Sequence, residues 1–199
     1  MEAYWYFDFA SPFSYLQLTK VREWRARMPV TPVPIIARAL PKAVADSEAL
    51  AISSDGSVER FVRWRAKAAG IPLTFPRSYP FNSSAALRLC VAAGSSWHAI
   101  ETIFAHLWGE GREGTLAEDL RPVGLALGIQ DPIRALGSSD TVATLRASTT
   151  AALALGVSSV PTVRVGGELF HGTGAAEQMD EWLAYSRMST SGEHRRIAV

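Results

Sequence analysis

Residues 8–16 join a strand pattern directly to a helix pattern, and this junction limits the folds that are open to the chain. The segment from Tyr4 to Phe9 is rich in aromatic residues, which is typical of a buried strand. Apolar side chains then recur at helical spacing, and Pro12 stands where the first turn of a helix tolerates proline. The recurring positions are Leu18, Val21, Trp24 and Met28. The sequence therefore predicts a strand that turns at once into a helix.

The first turn of this predicted helix carries two hydroxyl groups. Ser11 and Ser14 are three residues apart, which places them on one face of the helix. Backbone N–H groups at a helix N-terminus point outward with partial positive charge, so this turn is suited to an anion. Serine is also a common helix cap, and both roles are open for Ser11.

The remaining strands complete a βαβ unit at the start of the chain and a ββα unit near its end. Val30 to Ile36 predicts a second strand, and the prolines within it favour a sheet edge. Residues 37 to 57 lose periodicity, which indicates a loop with at most one helical turn. Gly166-Gly167 is a hairpin signal between strands over Val160–Val165 and Glu168–His171. A final helix is predicted for Ala175 to Tyr185.

Helical patterns fill the middle of the chain. Each ends at glycine or proline, as helices in a compact block do. The segments are Val58 to Ala69, a helix capped by Asn82 or Ser83 that ends near Gly94, Trp97 to Trp108, Leu116 to Leu127, and Asp140 to Leu155. We therefore expect one α/β domain formed by residues 1–56 and 156–186, a helical insertion of residues 57–155, and a mobile tail of residues 187–199.

Charge and composition narrow the classes of partner. The 199 residues include 20 basic and 19 acidic side chains, so no strong overall field attracts nucleic acid or an anionic membrane. A hydrophobic content of 48% indicates a packed globular protein. No apolar run is long enough to span a membrane, and no signal region is evident, so a cytoplasmic protein with a small-molecule ligand or a protein partner is expected. No residues have metal-ligand spacing.

The cysteine count excludes redox chemistry within the chain. Cys90 is the only cysteine, so the chain forms no internal disulfide. Its place on an apolar helical stripe predicts an inert, buried thiol. Any thiol chemistry would need a thiol from outside.

Four motifs in order resemble the 2-hydroxychromene-2-carboxylate isomerase family, which is related to the kappa-class glutathione transferases. In thioredoxin-like oxidoreductases the first turn reads Cys-Pro-x-Cys, whereas here it is Ser11-Pro12-Phe13-Ser14. The motifs are Phe7 to Leu16, Tyr79-Pro80-Phe81-Asn82-Ser83 followed by Arg88, Leu107 to Gly111, and Gly156-Val157 through Val160-Pro161-Thr162. The resemblance implies a thioredoxin-like α/β fold whose βαβ and ββα halves flank an all-helical insertion.

The resemblance also implies a glutathione-dependent isomerase. In such an enzyme the glutathione thiolate adds reversibly to a conjugated aromatic carboxylate, a bond rotates, and elimination returns the thiol. Ser11 would hold and activate the thiol, with Pro12 and Phe13 beside it. Pro161 would be a cis-proline that faces Ser11, and the backbone of Val160 would bind the cysteinyl part of glutathione. The structural alternatives are a helix cap for Ser11 and an ordinary strand-starting proline for Pro161.

One departure from the family lies after the last strand. Relatives carry an Asp that contacts the α-amino group of glutathione, whereas this chain has Gly174 at that position. The Thr173 hydroxyl and the start of the final helix suit a carboxylate but not an ammonium group.

Four residues are expected on the substrate side. Lys42 and Arg88 could each bind the substrate carboxylate, Asn82 lies in the family's Pro-x-Asn-Ser segment, and His171 replaces an aromatic residue common in relatives. The alternatives are a cap for Asn82 and a solvated face for Arg88.

Two other functions remain open, namely a kappa-like glutathione transferase and a non-catalytic thioredoxin-like binding protein. A homodimer is plausible from the resemblance.

Overall fold

The computed structural model describes residues 1–41 and 56–193 of the chain. Its four strands form one mixed sheet in the order β2-β1-β3-β4, in which β1 and β2 are parallel and the other pairs are antiparallel. The strands are β1 (Ala3–Phe7), β2 (Val30–Pro34), β3 (Thr162–Val165) and β4 (Glu168–His171). This arrangement confirms the predicted βαβ and ββα halves.

Eight α-helices are described, most of them between the two halves of the sheet. They are α1 (Pro12–Arg25), α2 (Ser57–Ala68), α3 (Ser84–Ala92), α4 (Trp97–Phe104), α5 (Arg121–Ala126), α6 (Pro132–Gly137), α7 (Ser139–Ala154) and α8 (Ala175–Glu193). A π-helical turn, Ala105–Gly109, follows α4, and 3₁₀ turns cover Ala37–Ala39, Glu118–Leu120 and Gly172–Gly174.

Both strands of the first half are shorter than predicted. β1 ends at Phe7 because the Asp8 carboxylate accepts the N–H of Ala10 at 2.9 Å, which turns the backbone out of the sheet. β2 ends at Pro34, although the N–H of Ile35 still donates to the carbonyl of Phe7 at 3.0 Å. The predicted edge position of β2 is confirmed, since among the described residues it pairs with β1 alone.

The helical insertion differs from the prediction in one region. A single helix was expected over Leu116 to Leu127, but the segment forms a 3₁₀ turn and the short helix α5. Helix α6 was not predicted at all. It begins with Asp131 as cap, whose carboxylate accepts the N–H of Arg134 at 3.1 Å, and with Pro132 in its first turn. Six residues are too few for a helical period to show.

The insertion and the sheet share one aromatic core. Phe104 of α4 lies 5.9 Å from Phe7 and 4.6 Å from Phe9, measured between ring centroids. Trp108, in the π-helical turn, donates its indole N–H to the carbonyl of Phe9 at 2.8 Å. The helical block thus reaches the chain segment that leads into Ser11.

The C-terminal helix is longer than predicted. α8 continues to Glu193, whereas the sequence placed its end at Tyr185 and a mobile tail at 187–199. Residues 187–193 are therefore helical, and 194–199 lie outside the described residues. Within the described residues, no helix is both long and apolar enough to cross a membrane.

Candidate active site

Most of the residues that the sequence assigned to a site lie at one end of the sheet. β1, β2 and β4 end at this end of the sheet and β3 begins there. The reason is that β1 is parallel to β2 and antiparallel to β3, which is in turn antiparallel to β4. Tyr6 lies opposite Thr162, which in turn lies opposite His171. The Ser11 turn, the Val160–Pro161 bond and the segment after β4 therefore meet at this end of the sheet.

Ser11 caps helix α1. Its backbone is extended, and its Oγ accepts the N–H of Ser14 at 3.2 Å, while Pro12 occupies the first helical turn. This confirms the capping role. A hydroxyl that accepts one hydrogen bond keeps its own hydrogen, so Ser11 can still donate to an anion at the helix N-terminus.

Ser14 was expected to present its hydroxyl on the same face as Ser11, but it does not. Its side chain is fully buried, and its Oγ has no hydrogen-bond partner among the residues that the structure describes. The second hydroxyl of the turn is therefore enclosed, and of the two serines in the turn only Ser11 presents its hydroxyl.

The Val160–Pro161 peptide bond is cis, as the family resemblance implied. The Pro161 carbonyl accepts the N–H of Gly172 at 2.8 Å, which joins the start of β3 to the segment after β4. Strand pairing begins at Thr162, so Val160 precedes the paired part of β3.

Asp8 holds the site together, and sequence reasoning assigned it no role. Its carboxylate accepts the N–H of Ala37 at 2.8 Å in addition to that of Ala10, and its backbone carbonyl accepts the N–H of Ser11 at 3.1 Å. Ser83 also hydrogen-bonds to the carboxylate. The signal that could have identified Asp8 is a charged residue at the end of a buried strand.

Burial raises the pKa of the Asp8 carboxyl above its usual range. The hydrogen bonds from Ser83, Ala10 and Ala37 and the nearby charge of Arg38 oppose this effect in part. A buried carboxylate held in this way fixes its donors in place, because each would lose its partner if the acid moved.

The contact between Asp8 and Ser83 brings the start of α3 to the site. Asn82, which is exposed, accepts the N–H of Ser84 at 3.0 Å through its Oδ1. Asn82 thus closes a turn just before α3, whose N-cap is Ser83 without a side-chain cap hydrogen bond. The predicted cap falls on Ser83, and a contact between Asn82 and substrate stays a prediction.

Two arginines flank the first turn of α3. Arg38 donates to the Ser84 hydroxyl at 2.8 Å, and the half-buried Arg88 lies one helical turn beyond Ser84 on the same face. Arg38 was not predicted as a site residue. Lys42, which was, lies outside the described residues.

The segment after β4 carries His171, Thr173 and Gly174. Burial lowers the pKa of His171 below its usual value. Thr173 is exposed in the 3₁₀ turn that leads into α8. A side chain added at Gly174 would meet Gln178 at 3.5 Å, an ordinary contact, so glycine is not required there by lack of space.

A row of aromatic side chains leads away from the Ser11 turn. The rings of Phe13 and Phe61 are 6.2 Å apart, and those of Phe61 and Trp64 are 5.8 Å apart. Phe61 is 43% exposed and Trp64 is 61% exposed, which is unusual for side chains of this size. Sequence reasoning missed this row, although its two members on α2 have helical spacing.

Cys90 takes no part in the site. It is buried within the core, and burial raises the pKa of its thiol to about 12, as expected for an inert cysteine. Among residues 1–41 and 56–193, no cluster of His, Cys, Asp and Glu side chains could hold a metal ion.

Comparison with known families matches the DSBA-like thioredoxin domain to residues 4–184. The chain belongs to this family. The thioredoxin-like α/β fold with a helical insertion is thereby confirmed. No curated protein sequence matches the chain.

Solved structures show the same fold over nearly the whole chain. A 2-hydroxychromene-2-carboxylate isomerase is 24% identical with a TM-score of 0.77, and covers 96% of this chain and 98% of its own. A probable DsbA oxidoreductase from Streptomyces coelicolor is 17% identical with a TM-score of 0.71, covering 93% and 89%. The cytosolic disulfide reductase DsbM from Pseudomonas aeruginosa, solved with GSH, is 18% identical with a TM-score of 0.60, covering 96% and 100%.

Proposed function

We propose that the protein is a glutathione-dependent isomerase of aromatic carboxylates of the 2-hydroxychromene-2-carboxylate type. The observation that carries this proposal is that Ser11, at the start of α1, and Pro161, just before β3, lie at the same end of the sheet. An oxidoreductase of the same family would need a reactive thiol in the first turn. This chain has serine there, and its one cysteine is buried.

Glutathione would supply the nucleophilic thiolate that the chain itself lacks. Ser11 keeps a hydroxyl hydrogen that can be donated to a sulfur anion, because its Oγ accepts from Ser14. The positive end of the α1 dipole favours the same anion. The arrangement therefore fits a thiolate that is brought to the first turn of the helix.

The remainder of glutathione would lie along the segments before β3 and after β4. Val160, ahead of the paired residues of β3, would offer its backbone as an added strand does. Thr173 and the N-terminus of α8 would favour the γ-glutamyl carboxylate. Gly174 offers no charge to the ammonium group, so we expect glutathione to bind weakly.

The substrate would lie between the aromatic row and the cationic side of the site. Phe13, Phe61 and Trp64 offer flat apolar surfaces to an aromatic ring. Arg88 would meet the carboxylate with its guanidinium group, with Lys42 and Asn82 as further candidates for contact. His171 would border the same space from the end of β4.

The test compares two serine-to-alanine variants that lose the same kind of helix cap. Ser96 caps α4 by accepting the N–H of Ala99 at 3.2 Å, the distance seen at Ser11. Both variants should lose about 1 kcal/mol of stability. Only Ser11→Ala should lower kcat/KM for isomerisation in the presence of glutathione, by about 100-fold, because it also removes a donor to developing charge.

Binding and product analysis separate the competing functions. Glutathione at a hundredfold excess over its dissociation constant should stabilise the protein by about 2.7 kcal/mol, and no rise in melting temperature would contradict the proposal. An isomerase returns free glutathione, whereas a transferase consumes it. Loss of free thiol in step with substrate would therefore favour the transferase.

A further inference from the structure

His171 is held in a fixed hydrogen-bond arrangement at the end of β4. Its Nδ1 lies 3.0 Å from the Oγ1 of Thr162, the residue opposite it on β3. The Oγ of Ser158 is 3.5 Å from the same nitrogen, at the limit of a hydrogen bond. Thr162 therefore makes the principal contact with the ring.

The position of the ring proton follows from counting donors. The Thr162 hydroxyl has one hydrogen and donates it at 2.7 Å to the carbonyl of Ser159, which can only accept. Its Oγ1 is then left to accept from His171. Nδ1 of the neutral ring must carry the hydrogen, and Nε2 must carry the lone pair.

The lone pair is available at neutral pH. Burial lowers the pKa of His171, and no charged group of the described residues contributes to that shift. The ring is therefore unprotonated under these conditions, with Nε2 as its basic atom.

His171 lies at the end of the sheet where the other site residues meet. The N–H of Gly172, the next residue, donates to the carbonyl of the cis-proline Pro161. Thr162 is opposite Tyr6 of β1, the strand that leads into the Ser11 turn. His171 is therefore located at the end of the sheet where the thiol is proposed to bind.

We propose that His171, held as its Nδ1–H tautomer by Thr162, is the general base that receives the glutathione thiol proton at Nε2. The S–H bond breaks, its electron pair stays on sulfur, and an Nε2–H bond forms. The proton returns from Nε2 to sulfur when the thiol is released, so the step needs no other reactant. This inference rests on the proposed function.

A second histidine provides an internal control. Nε2 of His106 lies 3.2 Å from the carbonyl of Glu113, which can only accept, so His106 carries its hydrogen on Nε2. When their rings are neutral, the two histidines should therefore show opposite tautomers in one spectrum.

The first experiment is ¹⁵N NMR of the imidazole rings above pH 7, with His171→Asn used for assignment. We expect the Nδ1–H form for His171 and the Nε2–H form for His106. Thr162→Val removes the acceptor and should abolish the Nδ1–H form, whereas Thr162→Ser should retain it. An Nε2–H form of His171 in the wild type, or an unchanged ring in Thr162→Val, would overturn the assignment.

The second experiment adds saturating glutathione to the same samples. Protonation of both ring nitrogens of His171, together with thiolate absorbance, is the expected result. If glutathione raises the melting temperature but His171 stays neutral, the base role is wrong while the proposed function stands. If glutathione does not bind, both fail, and the first experiment still reports on the tautomer.

Discussion

The carboxylate of Asp8 accepts the backbone N–H of Ala37 at 2.8 Å, although 29 positions separate the two residues in the chain. This bond joins the segments that follow the two parallel strands, and the backbone carbonyl of Asp8 also accepts the N–H of Ser11. The other carboxylate oxygen accepts from Ala10 at 2.9 Å, so both oxygens are engaged.

Replacement of Asp8 by Asn should destabilise the protein by about 1–3 kcal/mol, because asparagine has one acceptor oxygen and leaves one of the two N–H groups unpaired. Urea unfolding measures the difference. Asp131→Asn is the matched control, since Asp131 accepts a single N–H as the cap of α6 and asparagine caps equally well. Equal stability of the two variants would contradict the role of Asp8.

Replacement of Gly174 by Asp should strengthen glutathione binding about ten- to a hundredfold by providing a carboxylate for the ligand ammonium group. The site has room for the side chain, whose Cβ would lie 3.5 Å from Gln178. Isothermal titration calorimetry measures the change, and Gly174→Asn controls for shape without charge. Equal affinities for the two variants would show that the ammonium group does not lie there.

Stability should fall as the pH drops below about 6.5. Burial lowers the pKa of His171 in the folded state, so the unfolded chain takes up its proton at a higher pH than the folded protein does. The contribution is present above the unfolded pKa and is lost as the pH falls through the folded pKa. Melting temperatures from pH 7.5 to 5 should decline less in His171→Asn than in the wild type, and parallel curves would refute this.

Cys90 should resist aromatic disulfide reagents in the folded protein and react once urea unfolds the chain. A thiol pKa of about 12 leaves roughly one thiolate in ten thousand at pH 8, and the side chain is buried as well. Absorbance of the released thiol measures the reaction, with Cys90→Ala as the blank. Rapid labelling of the native protein would reopen a redox role.

The sequence predicted what depends on local pattern. Strand and helix periods, the hairpin glycines and the proline in the first turn of α1 are each decided by neighbours within a few residues. The shared order of motifs then led to the correct family fold. Helix α6 was missed because its evidence was only the pair Asp131-Pro132.

The contacts that assemble the site could not be predicted in this way. Asp8 contacts Ala37 and Ser83, which are distant from it in the chain. The sequence around each residue gives no sign of these contacts. The tautomer of His171 likewise depends on where the Thr162 hydroxyl donates. Such relationships require the register of the sheet, which the sequence left open.

The hydrogen bond from Trp108 to the Phe9 carbonyl has a consequence for engineering. The helical insertion resembles a cassette that could be exchanged among relatives to alter substrate choice. Because its indole holds the peptide two residues before Ser11, a grafted insertion would need a donor at the same point. Chimeras that lack one should bind the thiol poorly even where their own substrate pocket is intact.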